Sequence, residues 1–120
     1  MANIGQMDLG FPAIVFNRAT GGSGDSFSLP SGSGRYSKLL LQAIGRIGAA
    51  PGTITALVIN LEVSLDGGVT WNVLGTGVTL TTLAVAIDVA GLGNGVWFRI
   101  TSTTFTLGTA TSIVIFANAG

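Results

Sequence analysis

The side chains that carry most enzyme chemistry are missing from this chain. Its 120 residues include neither histidine nor cysteine. No Ser–His or Cys–His relay can form, and imidazole and thiolate metal sites are excluded. The remaining acids are Asp8, Asp25, Glu62, Asp66 and Asp88. Glu62 and Asp66 alternate onto one strand face, four positions apart. At about 3.3 Å per residue their backbones are about 13 Å apart, beyond the roughly 5–9.5 Å of a glycosidase carboxyl pair. No nucleophile, base and acid can be assembled, so the expectation is a protein that is not an enzyme and takes no cofactor. Gly91-Leu92-Gly93-Asn94-Gly95 sits between two strand-like segments and reads as a turn, not a phosphate loop. Asp66 is a lone oxygen ligand, short of the cluster a calcium site needs.

The surface must be poor in charge. Charged residues are 8% of the chain and the hydrophobic set 48%, with net charge zero, against about 25% charged in an ordinary soluble domain. Thr, Ser, Asn and Gly therefore cover much of what solvent meets. Such a surface repels no neighbour and invites association. It offers no basic run and no Arg–aromatic interleaving, which argues against a nucleic-acid partner. The apolar stretches 83–87 and 113–117 are too short for a spanning helix. Residues 1–10 lack the basic and apolar regions of a signal peptide. No membrane partner is expected.

The spacing predicts an all-β fold, an antiparallel β-sandwich or jelly roll of about eight strands with an extended N-terminal segment. The strand-like stretches are 11–16, 25–29, 35–47, 54–66, 69–75, 77–90, 95–105 and 110–118, rich in Thr, Val and Ile and separated by glycine. Leu39, Leu40, Ala43, Ile44 and Ile47 also fit one helical face, but Gly45 and the β-rich neighbours favour a strand. Two parts are expected: residues 1–34, an arm or edge segment with Gly/Ser-rich connectors, and residues 35–120, the sandwich. Pro12 confines 9–17 to an edge strand of the same domain or an arm on a neighbouring subunit. On the arm alternative, deleting residues 1–24 weakens assembly without unfolding the domain.

A hairpin is predicted over 57–74. Leu57, Ile59, Leu61, Val63 and Leu65 alternate with Val58, Asn60, Glu62, Ser64 and Asp66, and Val69, Trp71 and Val73 follow with the same parity. A three-residue loop of Asp66, Gly67 and Gly68 would pair Leu65 with Val69 and Val63 with Trp71, keeping both apolar sets, Trp71 included, on the core face. Asp66 would accept from the turn amides. In 78–89 the parity switches at Thr81-Thr82, which implies a bulge or a strand changing sheets.

Other segments carry apolar side chains on a second face. Leu40 and Ile44 oppose Leu39, Leu41 and Ala43; Trp97 and Arg99 oppose Val96, Phe98 and Ile100; Phe116 opposes Ile113 and Ile115. Loops of the same chain could cover them, or a subunit interface could. The candidate interface set is Phe11, Ile14, Phe16, Leu40, Ile44, Trp97, Arg99 and Phe116.

Ser64-Leu65-Asp66-Gly67-Gly68-Val69-Thr70-Trp71 matches the Asp-box pattern, which in sialidases and other β-propellers is a structural blade hairpin. It occurs here once, in a chain too short for a propeller. Preceded by Leu61-Glu62-Val63, the run also resembles hairpins of small bacteriophage virion proteins of the capsid decoration or cement type, and of some carbohydrate-binding sandwiches. That resemblance implies a virion structural protein, assembled in the host cytoplasm. Its partners would be copies of itself, a trimer being one arrangement, and the major capsid protein or other virion proteins. The alternatives are a carbohydrate- or receptor-binding tail-fibre module, with Trp97 as the exposed aromatic, and a tail or connector component.

Overall fold

The computed structural model describes residues 13–28, 38–80, 85–89 and 96–119. Eight strands lie among them: β1 (Ala13–Arg18), β2 (Lys38–Ile47), β3 (Ala50–Gly52), β4 (Ile54–Ser64), β5 (Asn72–Thr79), β6 (Val85–Asp88), β7 (Trp97–Leu107) and β8 (Ser112–Ala119). They form two antiparallel sheets packed face to face. One has the order β1-β8-β2-β3, with β6 also pairing β2; the other has the order β5-β4-β7. The chain is an all-β sandwich, and the helical alternative for 39–47 gives way to β2. Ladder pairing with β8 on one side and with β6 and β3 on the other overrides the helix propensity of its Leu, Gln and Ala residues.

The alternation in β2, β4 and β8 positions the core. Leu39, Leu41 and Ala43 of β2 and Ile113, Ile115 and Ala117 of β8 point inward from the larger sheet. Leu57, Ile59 and Leu61 of β4 and Phe98 and Ile100 of β7 meet them from the smaller one. At about 25 cal/mol per Å² of apolar surface removed from water, each such Leu, Ile or Phe side chain stabilises the fold by about 1.5–3 kcal/mol.

The N-terminal segment does not behave as a separate arm over the residues described. β1 is an edge strand hydrogen-bonded to β8, and a bulge at Ile14/Phe16 turns both Val15 and Phe16 inward. The chain then crosses to the other sheet. Ser23 and Phe27 bridge to Thr101 and Phe98 of β7, so 23–27 extends the smaller sheet beyond β7. One continuous stretch thus laces both sheets along the same side of the sandwich. Deletion of residues 1–24 would remove β1, Val15 and Phe16, so it is expected to unfold the domain rather than leave it intact. Phe16 is 1% exposed and belongs to the core, not to an interface.

Two expected strands, 69–75 and 77–90, are redrawn. β5 runs unbroken through 72–79 and belongs to the smaller sheet, whereas β6 belongs to the larger. The chain therefore changes sheets between Leu80 and Val85; the parity switch expected at Thr81-Thr82 lies outside the described residues. β5 is long because it carries extra residues opposite β4: Ile59 pairs Val78, Leu61 pairs Gly75, and Glu62 pairs Val73. Gly77 takes a left-handed conformation, φ +63°, and the Asn60 Oδ1 accepts its amide at 3.0 Å. A side chain thus satisfies a donor that the bulge takes out of the ladder.

Candidate interaction face

The hairpin loop is the most densely bonded surface feature, and it differs from the expected turn. Seven residues, 65 to 71, separate β4 from β5, and Val63 pairs with Asn72 rather than Trp71. Leu65 and Val69, expected to pair over the core, are 74% and 82% exposed. Side-chain hydrogen bonds to the backbone outweigh the apolar parity here. The buried Ser64 hydroxyl donates to Asp66 Oδ1 at 2.7 Å and accepts the Gly68 amide at 2.8 Å. Asp66 Oδ1 also accepts the Thr70 and Val69 amides, at 2.8 and 3.2 Å. Gly67 and Gly68, φ +77° and +94°, supply the left-handed backbone that turns those amides inward. Asp66 therefore sits in the loop, not on a strand face with Glu62.

These bonds favour the ionised carboxylate. The Thr70 amide first, then the Ser64 hydroxyl, hold Asp66 down from the ordinary 3.8 to about 2. A group whose folded pKa is depressed adds stability that is complete above its unfolded pKa and is lost as pH falls through the folded one. The loop is expected to loosen between about pH 4 and pH 2. Asp66→Asn, which keeps one acceptor but cannot ionise, should flatten that dependence. Trp71 fluorescence and amide exchange at Val69 and Thr70, followed from pH 5 to pH 2, check it.

Trp71 lies on the outer side of the smaller sheet, not on the core face. Its Nε1 donates to the Gly68 carbonyl at 3.0 Å, and the Arg99 guanidinium stands 4.5 Å from its ring centroid. Arg99 Nε donates to Glu62 Oε1 at 2.6 Å, and the Thr101 hydroxyl donates to the same oxygen at 2.8 Å. Glu62, Arg99 and Trp71 thus hold one another and tie the hairpin to β7. A groove of about 450 Å³ along 52–58, ending at Thr79 and Leu80, has no ionisable side chain in its lining. Among the described residues no three metal-ligating side chains cluster.

The outer face of the larger sheet is different in kind. Even-numbered positions of β2 and β8 point away from the core. Across β2 the rows pair Leu40 with Ala86 on one side and Asn118 on the other, and Ile44 with Val114. Phe116 lies between Gln42 and Ile14. Ile14 is 50% and Leu40 37% exposed, while Ile44 and Phe116 are half-buried. Polar and charged groups bound this apolar strip along the strands. Lys38 and Asp88 pair at 3.9 Å at one end, and Arg46 lies beside Ser112 and Pro51 at the other. An apolar centre within a polar rim is the anatomy of a protein interface.

The residues singled out from sequence therefore fall on opposite sides of the molecule. Ile14, Leu40, Ile44 and Phe116 share the outer face of the larger sheet. Trp97 and Arg99 project from the smaller one, where Arg99 is committed to Glu62 and Trp71. Phe11 lies outside the described residues. Sequence reasoning passed over Ala86 and Arg46, although the parity that selects Leu40 and Ile44 also selects Arg46; Val114 shares the parity of Phe116 but is 3% exposed. No protein-family model, curated protein or solved structure matches the chain.

Proposed function

We propose that this chain is a non-enzymatic structural protein of a tailed-phage virion, decorating or cementing the capsid through self-association and contacts with the shell. The observation that carries the packing role is the apolar strip of Ile14, Leu40, Ile44 and Phe116, left on the outside of a sheet whose other side is already a complete core. The low charge content and zero net charge support it, since neighbours without net charge approach without repulsion. The virion setting is supported by the likeness of the run from Leu61 to Trp71 to phage hairpins.

The test is co-sedimentation with empty capsids, together with proteomics of separated heads and tails. The chain is expected in the head fraction and bound to shells, with Leu40→Asp and Ile44→Asp reducing retention at unchanged thermal stability. Recovery only with tails would move the role to a tail or connector component. A second reading, a glycan- or receptor-binding module of a tail fibre, draws on Trp97, a half-buried indole on the opposite face. Glycan-array binding that disappears in Trp97→Ala would favour it over the first.

A further inference from the structure

We infer that Asp66–Gly67 is a modification site, a peptide bond primed for spontaneous isomerisation to isoaspartate, and that the hydrogen bonds of the hairpin loop hold it unreacted. This goes beyond the virion reading and does not depend on it.

Among the described residues, Asp66 is the one Asp or Asn followed by glycine, and both members of the pair are exposed. Glycine matters because it has no Cβ to obstruct an approach to its own nitrogen. The Gly67 nitrogen attacks the Asp66 Cγ. An N–Cγ bond forms, a Cγ–O bond breaks, and water leaves, made from the carboxyl hydroxyl and the amide hydrogen. A second water opens the resulting succinimide at either carbonyl. Opening at Cγ restores aspartate. Opening at the former peptide carbonyl leaves the main chain running through Cβ and Cγ, which is isoaspartate. The sum is an isomerisation with water as the sole co-reactant.

The loop opposes this chemistry twice. The departing oxygen leaves as water only from the neutral acid. The Thr70 amide first, then the Ser64 hydroxyl, favour the carboxylate and hold Asp66 at about 2 instead of 3.8. Near pH 6 that cuts the neutral fraction by about 60-fold. The carboxyl must also be free to meet the Gly67 nitrogen in an attack geometry. Its Oδ1 is held from both sides of the pair, by Ser64 at 2.7 Å and by the Thr70 and Val69 amides at 2.8 and 3.2 Å. The Gly68 amide is tied in turn to the Ser64 hydroxyl at 2.8 Å. The backbone next to the reacting nitrogen is therefore tethered as well. The product does not fit this loop: isoaspartate lengthens the main chain by one atom, and the donors lose their common acceptor.

The test incubates the full chain near pH 6, folded and in denaturing urea. Isoaspartate at position 66 is followed by peptide mapping and by labelling with an isoaspartyl methyltransferase. Asn94–Gly95, outside the described residues, changes mass when it reacts because it loses ammonia, so the two sites are told apart. Isoaspartate is expected to accumulate at 66 in urea, and at least about tenfold more slowly in the folded chain. Ser64→Ala should raise the folded rate about tenfold, since it removes a bond to the carboxylate and the tether on Gly68. Thr70→Ala, at an exposed position, removes the Thr70 side-chain bond to Asp66 and should raise it about threefold. Circular dichroism checks that each variant is folded, and if Ser64→Ala is not, the Thr70→Ala rate decides. No isoaspartate at 66 in urea would show that the bond is not primed. Equal rates in the folded and unfolded wild type, or folded variants that react no faster than wild type, would show that the loop does not protect it.

Discussion

Phe27→Ala is expected to lower the free energy of unfolding by about 3–5 kcal/mol, the cost of truncating a fully buried aromatic. Phe27 is 0% exposed and stacks on Phe98 with ring centroids 5.6 Å apart. The two residues also exchange backbone hydrogen bonds, Phe27 N to Phe98 O at 2.8 Å and Phe98 N to Phe27 O at 2.7 Å. The ladder thus fixes the ring, and no neighbouring segment can collapse into the void without breaking the bridge to β7. A loss of this size is a large fraction of a typical 5–15 kcal/mol stability. Urea denaturation of the single variants and of Phe27→Ala/Phe98→Ala checks it. The cycle should give a coupling of about 0.5–1.5 kcal/mol for the stacked pair. If Phe27→Ala unfolds at the wild-type urea concentration, residues 23–28 are not part of the cooperative fold.

That result would bear on the least legible part of the sequence. Composition makes Gly21-Gly22-Ser23-Gly24 look like a connector, because glycine and serine usually mark flexible chain. Here their small size serves contact. The Arg18 guanidinium donates to the carbonyls of Thr20, Gly21 and Ser23, pinning the turn from inside. The Ser23 hydroxyl bonds Thr101 at 2.8 Å. None of these partners has a sequence signature: Thr101 is 78 residues away, and nothing local reports it. The strand interiors were legible for the opposite reason. Leu57, Ile59 and Leu61, or Leu39, Leu41 and Ala43, repeat with period two, which by itself fixes which side chains share a face.

Parity has two limits, and both show in this fold. It separates inward from outward residues but does not say to which sheet a strand belongs. Leu40 and Trp97, both outward, therefore read as one patch although they stand on opposite faces. It also ignores side chains that bond the backbone. Ser64, Asp66 and Gly68 build a seven-residue loop where apolar alternation alone calls for three, and Trp71 moves from the core to a place under Arg99. The motif did mark the right residues. Asp66, Gly67, Gly68 and Trp71 do meet in one loop, and what changed is the face they serve.

The second large effect is expected at Gly24, where the constraint is closeness rather than backbone conformation. Gly24 donates its amide to the Ile100 carbonyl at 2.8 Å, which fixes its distance from β7. On its other side lies β1. A Cβ built there would overlap the Val15 carbonyl oxygen and stand 3.2 Å from the Phe16 Cα. Both neighbours are backbone, so no rotamer change relieves the contact. Either the bond to Ile100 or the bulge in β1 must give way, and Val15 and Phe16 lose their packing with it. Gly24→Ala should therefore cost about 3 kcal/mol or more, at or beyond the upper end of ordinary overpacking. Gly21→Ala is the control. Its Cβ would meet the Ser102 hydroxyl at 3.3 Å and the Phe105 Cβ at 3.4 Å, contacts between side chains that small shifts absorb, so its cost should stay below about 1 kcal/mol. Thermal melts of both variants decide the point, and amide exchange should show protection lost at β1 and at 22–27 in Gly24→Ala alone. Equal, small losses at the two positions would mean that the segment lies farther from β1 than these contacts require, and that its glycines are there for flexibility after all.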